Sequence, residues 1–348
     1  MSEDNKEIES LHEHERMVVE EGVVMIRIDK YILNHVSREK FSRNKIQKYC
    51  EQGLIFVNDK PVKSNYKVKP QDVITLNKAY PVHSKEIIPE NIPLDIIYED
   101  DTLLVVNKSA GMVVHPSFGH YSGTLVHALL YHIKNLPESS DEGRPGLVHR
   151  IDKLTSGILV IAKTDAAMMD LSAQFANRTT DRKYVALVWG DVKEDEGTIT
   201  GHIGRSRKDR KLRFVYDHGS EGKHAVTHYK VLERFGYATL VECKLETGRT
   251  HQIRVHFQYL GHPLFGDPEY GGDSILKGTT FSKYKQFIQN CFKIAPRQNL
   301  HAKTLGFTHP VTKEMMHFDS EIAEDMQEVI SRWRNYTTQR LMKNGDDY

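Results

Sequence analysis

The chain has 348 residues, 39% of them hydrophobic and 27% charged, enough for two or three domains with real cores. Its 48 Lys and Arg against 47 Asp and Glu leave a net charge of +1, which taken whole argues against a polyanionic partner. The longest aliphatic run, 157–162, falls far short of the roughly 20 residues a membrane span needs, so no membrane partner is expected. The acidic start lacks the basic and apolar stretches of a secretory leader. Three well-separated cysteines with no C-x-x-C fit a reducing cytoplasm better than a disulfide scaffold or zinc ribbon.

Taken in chain order, residues 1–22 hold two basic and eight acidic residues and read as an acidic, disordered tail. A compact basic unit is expected over 23–78. Ile28, Tyr31, Ile32 and His35 recur at helical spacing over 28–36, and a second helix over 42–52 opens on Ser42 as N-cap and stops at Gly53. Short strands at 54–57 and 73–76 flank the turn 58–61. Between Ile26 and Asn77 eleven basic residues face five acidic ones, a net of +6 hidden in the chain total. Arg38, Lys40, Arg43, Lys45 and Lys48 cluster on the second helix and its approach; such a cluster is either a solvated face or a grip on RNA phosphates.

Residues 79–93 carry Pro81, Pro89 and Pro93 and read as a linker to a large domain over 94–348. Strands are expected at 103–106, 158–162, 184–189, 225–232, 238–245 and 304–307, and helices at 124–133, 165–177, 251–259 and 322–333. Helices interleave irregularly with the strands, which implies an α+β fold on a mixed, largely antiparallel central sheet. The run 272–298 gives no pattern. There is no P-loop and no G-x-G-x-x-G, so no nucleotide cofactor is expected.

Two polar clusters carry candidate chemistry. His149-Arg150-Ile151-Asp152-Lys153-Leu154-Thr155-Ser156-Gly157 lies on a loop entering the apolar strand 158–162, and Asp152 is the only acid between Gly143 and Thr164. Its carboxylate is either a reactive group or a turn residue bonding its own backbone. The second cluster, 245–256, places Thr250 and Arg254 four apart, on one face of a helix beginning near Thr250. His251 and His256 are five apart without the Glu of H-E-x-x-H, and His149 with Asp152 lacks a third ligand, so no metal is expected. From Gly201 to Arg213 six basic residues face one acid, a net of +5, with Arg205, Arg207, Lys208, Arg210 and Lys211 on a loop suited to phosphates or simply to water.

These blocks carry two resemblances. Gly53-Leu54-Ile55-Phe56-Val57-Asn58-Asp59-Lys60-Pro61-Val62, after a basic helix, resembles the S4 RNA-binding domain. His149–Gly157 is similar to H-R-(L/I)-D-x-x-T-S-G of the RluA/RluD family of pseudouridine synthases, and Leu245–Arg254 to its L-x-T-G-R-T-H-Q-I-R. The segment 182–190 resembles the family's K-x-Y-x-A-x-V-x-G block with altered spacing, since Lys183 directly precedes Tyr184. Gly261–Asp267 and Leu300-His301-Ala302 continue the likeness. An S4-type domain followed by a pseudouridine synthase catalytic domain is the architecture implied.

The resemblance implies isomerisation of uridine to pseudouridine in RNA, with large-subunit ribosomal RNA as the foremost partner. The competing implications are a transfer-RNA substrate or a non-catalytic RNA-binding assembly protein. Isomerisation conserves atoms and oxidation state, so no cofactor is called for, and a monomer is expected. By the resemblance Asp152 is the catalytic aspartate, attacking C1′ or C6 or taking a proton from C2′. Arg254 pairs with it, because a neighbouring guanidinium favours a charged carboxylate that burial against a base would oppose. Tyr184 stacks on the target base, Arg150 enters the space of the flipped nucleotide, Arg249 braces the loop or reaches a phosphate, Leu245 lines the base pocket and His149 adjoins the substrate.

Overall fold

The computed structural model describes residues 9–23, 25–35, 42–81, 87–117, 119–134, 136–137, 144–209, 211–216 and 221–345. It divides into two units, 1–85 and 86–348. Arg38, Lys40 and Arg210 lie outside the described residues.

The first unit comprises β1 (Glu9–Val18), α1 (Ile28–His35), α2 (Arg43–Glu51), β2 (Ile55–Val57), β3 (Lys60–Pro61) and β4 (Val73–Pro81). Ile28, Tyr31 and Ile32 of α1 and Ile46 and Cys50 of α2 form one buried cluster with Ile55, Val57, Ile74 and Leu76. The expected cap holds: Ser42 Oγ accepts the Lys45 N–H at 3.3 Å. Asn58 and Asp59 both take positive φ (48° and 63°), the backbone of a two-residue hairpin turn joining β2 to β3.

The acidic N-terminal segment departs from expectation. Instead of a disordered tail, 9–18 form β1, paired antiparallel along β4 in a sheet of order β1-β4-β2-β3. Main-chain pairing on an open strand edge does not require the apolar alternation that sequence reading looks for. β4 itself runs on to Pro81, into what was expected to be linker.

The second unit comprises β5 (Ile96–Glu99), β6 (Leu103–Lys108), α3 (Leu125–His132), β7 (Ser156–Ala162), α4 (Asp165–Asn177), β8 (Asp181–Trp189), β9 (Glu196–Arg205), β10 (Arg213–Tyr216), β11 (Lys223–Arg234), β12 (Ala238–Leu245), α5 (Gln252–Tyr259), α6 (Ser282–Ile294), β13 (Leu300–Thr308), β14 (Met315–Asp319) and α7 (Glu324–Gly345). The strands form one sheet in the order β10-β9-β11-β12-β8-β13-β7-β6-β5, with β14 on β13. Among the described residues every pairing is antiparallel except β13 with β7, so the sheet is mixed and largely antiparallel.

The centre of the sheet is buried on both faces. On β6, Leu104 and Val106 join a cluster containing Tyr184, Ile253 and Phe257, while Leu103 and Val105 face Ala167, Met168 and Leu171 of α4. On β8, Tyr184, Ala186 and Val188 point to the first cluster, and Val185, Leu187 and Trp189 pack under α6 and α7. This alternation aims Tyr184 to the face that also receives α5 and the 149–155 loop.

Candidate active site

The 149–155 loop is held by its surroundings as well as by its own turn, in which the Asp152 carbonyl accepts the Thr155 N–H at 3.1 Å. Arg297, itself tied two-point to Asp325 at 2.6 Å, donates from Nη1 to the Leu154 carbonyl at 3.1 Å. The buried Lys108 ammonium donates to the carbonyls of Ser109 (2.7 Å), Met112 (2.9 Å) and Lys153 (3.1 Å). Two buried basic side chains thus hold the carbonyls that follow Asp152.

On the opposite wall, the turn from β12 into α5 is built around the Gln252 amide. Its Oε1 accepts from Thr247 Oγ1 (2.7 Å) and the Arg249 N–H (3.0 Å), and its Nε2 donates to the Val226 carbonyl and Thr227 Oγ1, each at 3.0 Å. Both halves of a buried amide are satisfied, which fixes the turn. The helix therefore starts at Gln252, with Arg254 in its first turn and pointing at the loop.

The two walls enclose a cleft of about 390 Å³ lined by 148–152, Thr155, Phe175, Arg178, Arg182, Tyr184, 245–254 and Leu300. Asp152 stands in it, its side chain 20% exposed, with Oδ2 3.4 Å from Arg254 Nη1. Arg254 is buried and is committed mainly elsewhere: Nε and Nη2 clasp Asp267 at 2.7 and 2.8 Å, and Nη2 reaches Glu269 at 2.6 Å. Burial disfavours its charge, but Asp267 and the neighbouring carboxylates outweigh that and raise its affinity for the proton. The expected pairing of Arg254 with Asp152 is present as the longest of its contacts.

Tyr184 forms part of the cleft and is 8% exposed. Burial, opposed by Arg182 and aided by Asp152, pushes its hydroxyl above the ordinary phenol range, so it is a neutral donor at pH 7. Leu245 ends β12, half-buried, at the cleft wall, and Arg150 is exposed at its rim. Arg249 donates from Nε to the His224 carbonyl at 3.1 Å, a brace between turn and sheet.

His149 lines the cleft and is also tied to β7. Its Nε2 accepts the Val160 N–H at 3.0 Å and its ring stacks on Phe175 at 4.4 Å. Burial, with the Arg182 charge adding to it, pushes the imidazole down to about 3.

In the first unit, Arg43 Nε lies 3.2 Å from the buried Asp29, Lys45 sits 6.0 Å from the Tyr49 ring, and Lys48 is exposed on α2. In the second, Arg205, Arg207, Lys208 and Lys211 are exposed at the β9–β10 hairpin, where Arg207 pairs with Glu221.

Sequence reading gave no role to Asp267, Glu269, Tyr270 or Lys108, and weighed His251 only as a metal ligand. Asp267 lies 13 residues beyond Arg254 with no helical periodicity between them; its sole signal was its place in the Gly261–Asp267 block. Among the described residues no three His, Cys, Asp or Glu side chains gather as a metal-holding group.

Comparison with known proteins places the chain among RNA pseudouridine synthases. Residues 102–259 match the RNA pseudouridylate synthase family, and 26–74 match the S4 domain. An RNA pseudouridine synthase of Chlorobaculum parvum is 48% identical across 90% of this chain and 95% of its own length. Ribosomal large subunit pseudouridine synthase D of Zymomonas mobilis is 39% identical, again over 90% of this chain and 95% of its own. The solved structure of human RNA pseudouridylate synthase domain containing 4 superposes with a TM-score of 0.53 at 25% identity, covering 69% of this chain and 93% of that one.

Proposed function

Because the chain belongs to the RNA pseudouridine synthase family, we propose that it isomerises uridines in large-subunit ribosomal RNA, with the Asp152 carboxylate as the group that acts on the target nucleotide. In this reaction the N1–C1′ bond breaks, the base turns, C5 joins C1′, and the C5 hydrogen leaves as a proton while N1 gains one. No oxidant, reductant or second substrate enters.

The observation that carries the reading is the geometry around Arg254. Its Nε and Nη2 are spent on Asp267 and Glu269, which leaves Nη1 facing Asp152 at 3.4 Å. A guanidinium fixed in advance stabilises a carboxylate without closing on it, so the Asp152 oxygens remain open to the cleft. Tyr184 supplies a flat ring and a protonated hydroxyl on the adjoining wall, suited to stacking on the extruded base and to moving a proton. Arg150, Arg178, Arg182 and Arg249 surround the cleft with positive charge for the phosphates flanking that base.

Extruding a uridine costs a few kcal/mol, which backbone contacts elsewhere can offset. The exposed Lys48 on α2 and the cations of the β9–β10 hairpin are suited to that task. The ribosomal assignment draws on the S4 match and on relatives named as large-subunit ribosomal enzymes.

The test is release of tritium to water from large-subunit rRNA transcripts carrying C5-tritiated uridine, with transfer-RNA transcripts in parallel. Release from the rRNA, abolished by Asp152→Asn with RNA affinity retained, is expected. Persistent release by Asp152→Asn would remove Asp152 from this role, and release from transfer RNA alone would move the substrate.

A further inference from the structure

Among the described residues, Arg254 is not alone in facing Asp152. On the other side, His251 Nε2 stands 4.0 Å from Asp152 Oδ1. His251 lines the cleft with its side chain 15% exposed. It also holds a left-handed backbone (φ 57°, ψ 22°) at the start of α5, a conformation that costs a non-glycine residue about 1 kcal/mol and that persists where the surroundings impose it.

The far side of the ring determines what the near side offers. His251 Nδ1 is 2.9 Å from Tyr270 Oη, and that oxygen accepts the Arg213 N–H at 3.0 Å. With one lone pair taken by the Arg213 N–H, the phenol can give its own hydrogen to Nδ1. A neutral imidazole accepting at Nδ1 carries its proton on Nε2, the nitrogen facing Asp152. The ring is neutral because burial lowers its affinity for a proton; Asp152 opposes this, Arg254 reinforces it, and Glu269 and Asp267 oppose it in turn. Glu269 lies 3.8 Å from Nδ1, and Tyr270 stands beside it.

Resting on the assignment of Asp152 as the reactive carboxylate, we propose that His251 is a positioning residue whose Nε2–H, set by Tyr270, holds Asp152 Oδ1 while Arg254 holds Oδ2. The two donors then present the carboxylate to the substrate in one orientation. The 4.0 Å separation closes when RNA fills the cleft, as catalytic hydrogen bonds commonly do on substrate binding. Because the Arg213 N–H on β10 is bonded to the same phenol, the basic hairpin and the reactive carboxylate are linked through Tyr270 and His251.

Two substitutions separate the ring's nitrogens. In His251→Asn the side-chain amide reaches only as far as Nδ1, and Asn is well tolerated in a left-handed backbone. In His251→Gln the amide extends to the position of Nε2. Single-turnover tritium release should fall about 100-fold in the Asn variant, a loss typical of a misplaced reacting group, with RNA affinity within twofold of wild type. The Gln variant should stay within about threefold of wild type, and Tyr270→Phe, which frees the tautomer, should lie between them. Below pH 6.5 the wild-type rate should fall as His251 takes a proton and draws the carboxylate into an ion pair; the Gln variant should lack that loss.

An Asn variant as fast as wild type, or Asn and Gln variants equally slow, would overturn the proposal. Release that persists in Asp152→Asn would instead overturn the assignment of the carboxylate, and this inference with it.

Discussion

Arg254 and Asp267 form a buried two-point ion pair, Nε to Oδ2 at 2.7 Å and Nη2 to Oδ1 at 2.8 Å, with side chains 3% and 0% exposed. Asp267 Oδ1 also accepts the N–H groups of Glu269 and Tyr270, so the carboxylate is fixed before it meets the guanidinium. The arginine that faces Asp152 is therefore positioned by a third residue. Removing one partner of a buried pair strands the other charge, at a cost of roughly 3–5 kcal/mol. Asp267→Asn is expected to lose stability in that range by denaturant titration. Single-turnover tritium release should drop about 100-fold as Arg254 shifts toward Asp152. A variant with wild-type turnover would show that Asp267 does not set the Arg254 geometry.

Much of this was legible where one segment carries its own signal. Asp165–Asn177 begins at its expected residue because Thr164 caps it, accepting the Ala167 N–H, and the helix over 251–259 starts one residue later than expected. What escaped reading lacked local signal or had its signal passed over. β9 contains Gly197, Gly201 and Gly204, poor strand formers that are present because larger side chains would strike Tyr229, Val215 and the backbone at Gly222. α6 was legible in principle, since Tyr284, Ile288 and Cys291 recur at helical spacing, yet lay in the unassigned run. At the site, Asp152, Tyr184 and Arg254 stood out by motif. Asp267, Tyr270 and Lys108 act through contacts that no local pattern encodes.

Lys108 makes stability depend on pH. The side chain is 2% exposed, and burial, with the Arg297 charge adding to it and Asp152 opposing, pushes the amine down to about 7. An unfolded lysine keeps its proton up to about pH 10.4. Between these values the unfolded chain binds more protons than the folded one, so this group's contribution to stability rises with pH across the window and is least favourable below pH 7. Lys108→Met removes the titration. Calorimetry from pH 7 to 10 should show the wild-type Tm gaining on that of Lys108→Met as pH rises; parallel curves would place the Lys108 proton affinity outside this window.

Two of the three cations on α2, Arg43 and Lys48, stand in different circumstances. Lys48 is exposed, whereas Arg43 is bonded to Asp29, which also accepts from Arg27 and Gln47. If α2 meets RNA phosphates, Lys48→Ala should lower affinity across all RNA sequences. It should also reduce the slope of log K against log salt by roughly 0.7–0.9, one phosphate contact's worth. Arg43→Ala should do the same and additionally destabilise the first unit, because it removes a donor from a buried carboxylate. Filter binding at four salt concentrations measures both, and an unchanged slope for Lys48→Ala would take α2 off the backbone.

Two glycines separate backbone conformation from crowding beside the Asp152 loop. Gly111 and Gly157 both have positive φ, 93° and 116°, so alanine strains the backbone at each. A Cβ on Gly111 meets nothing within 4 Å. On Gly157 it would lie 2.2 Å from the Ala302 carbonyl oxygen and 2.6 Å from its nitrogen, both main-chain atoms of β13 at the parallel pairing with β7. Neither atom can rotate away, so the two strands must part. Gly111→Ala should therefore cost about 1 kcal/mol, the conformational share alone, and retain tritium release. Gly157→Ala should cost upward of about 4 kcal/mol and lose release even where it folds, because the displaced strand begins four residues after Asp152. Equal denaturation midpoints for the two variants would mean that β7 and β13 are not pressed together at this point, and that the carboxylate loop does not depend on their pairing.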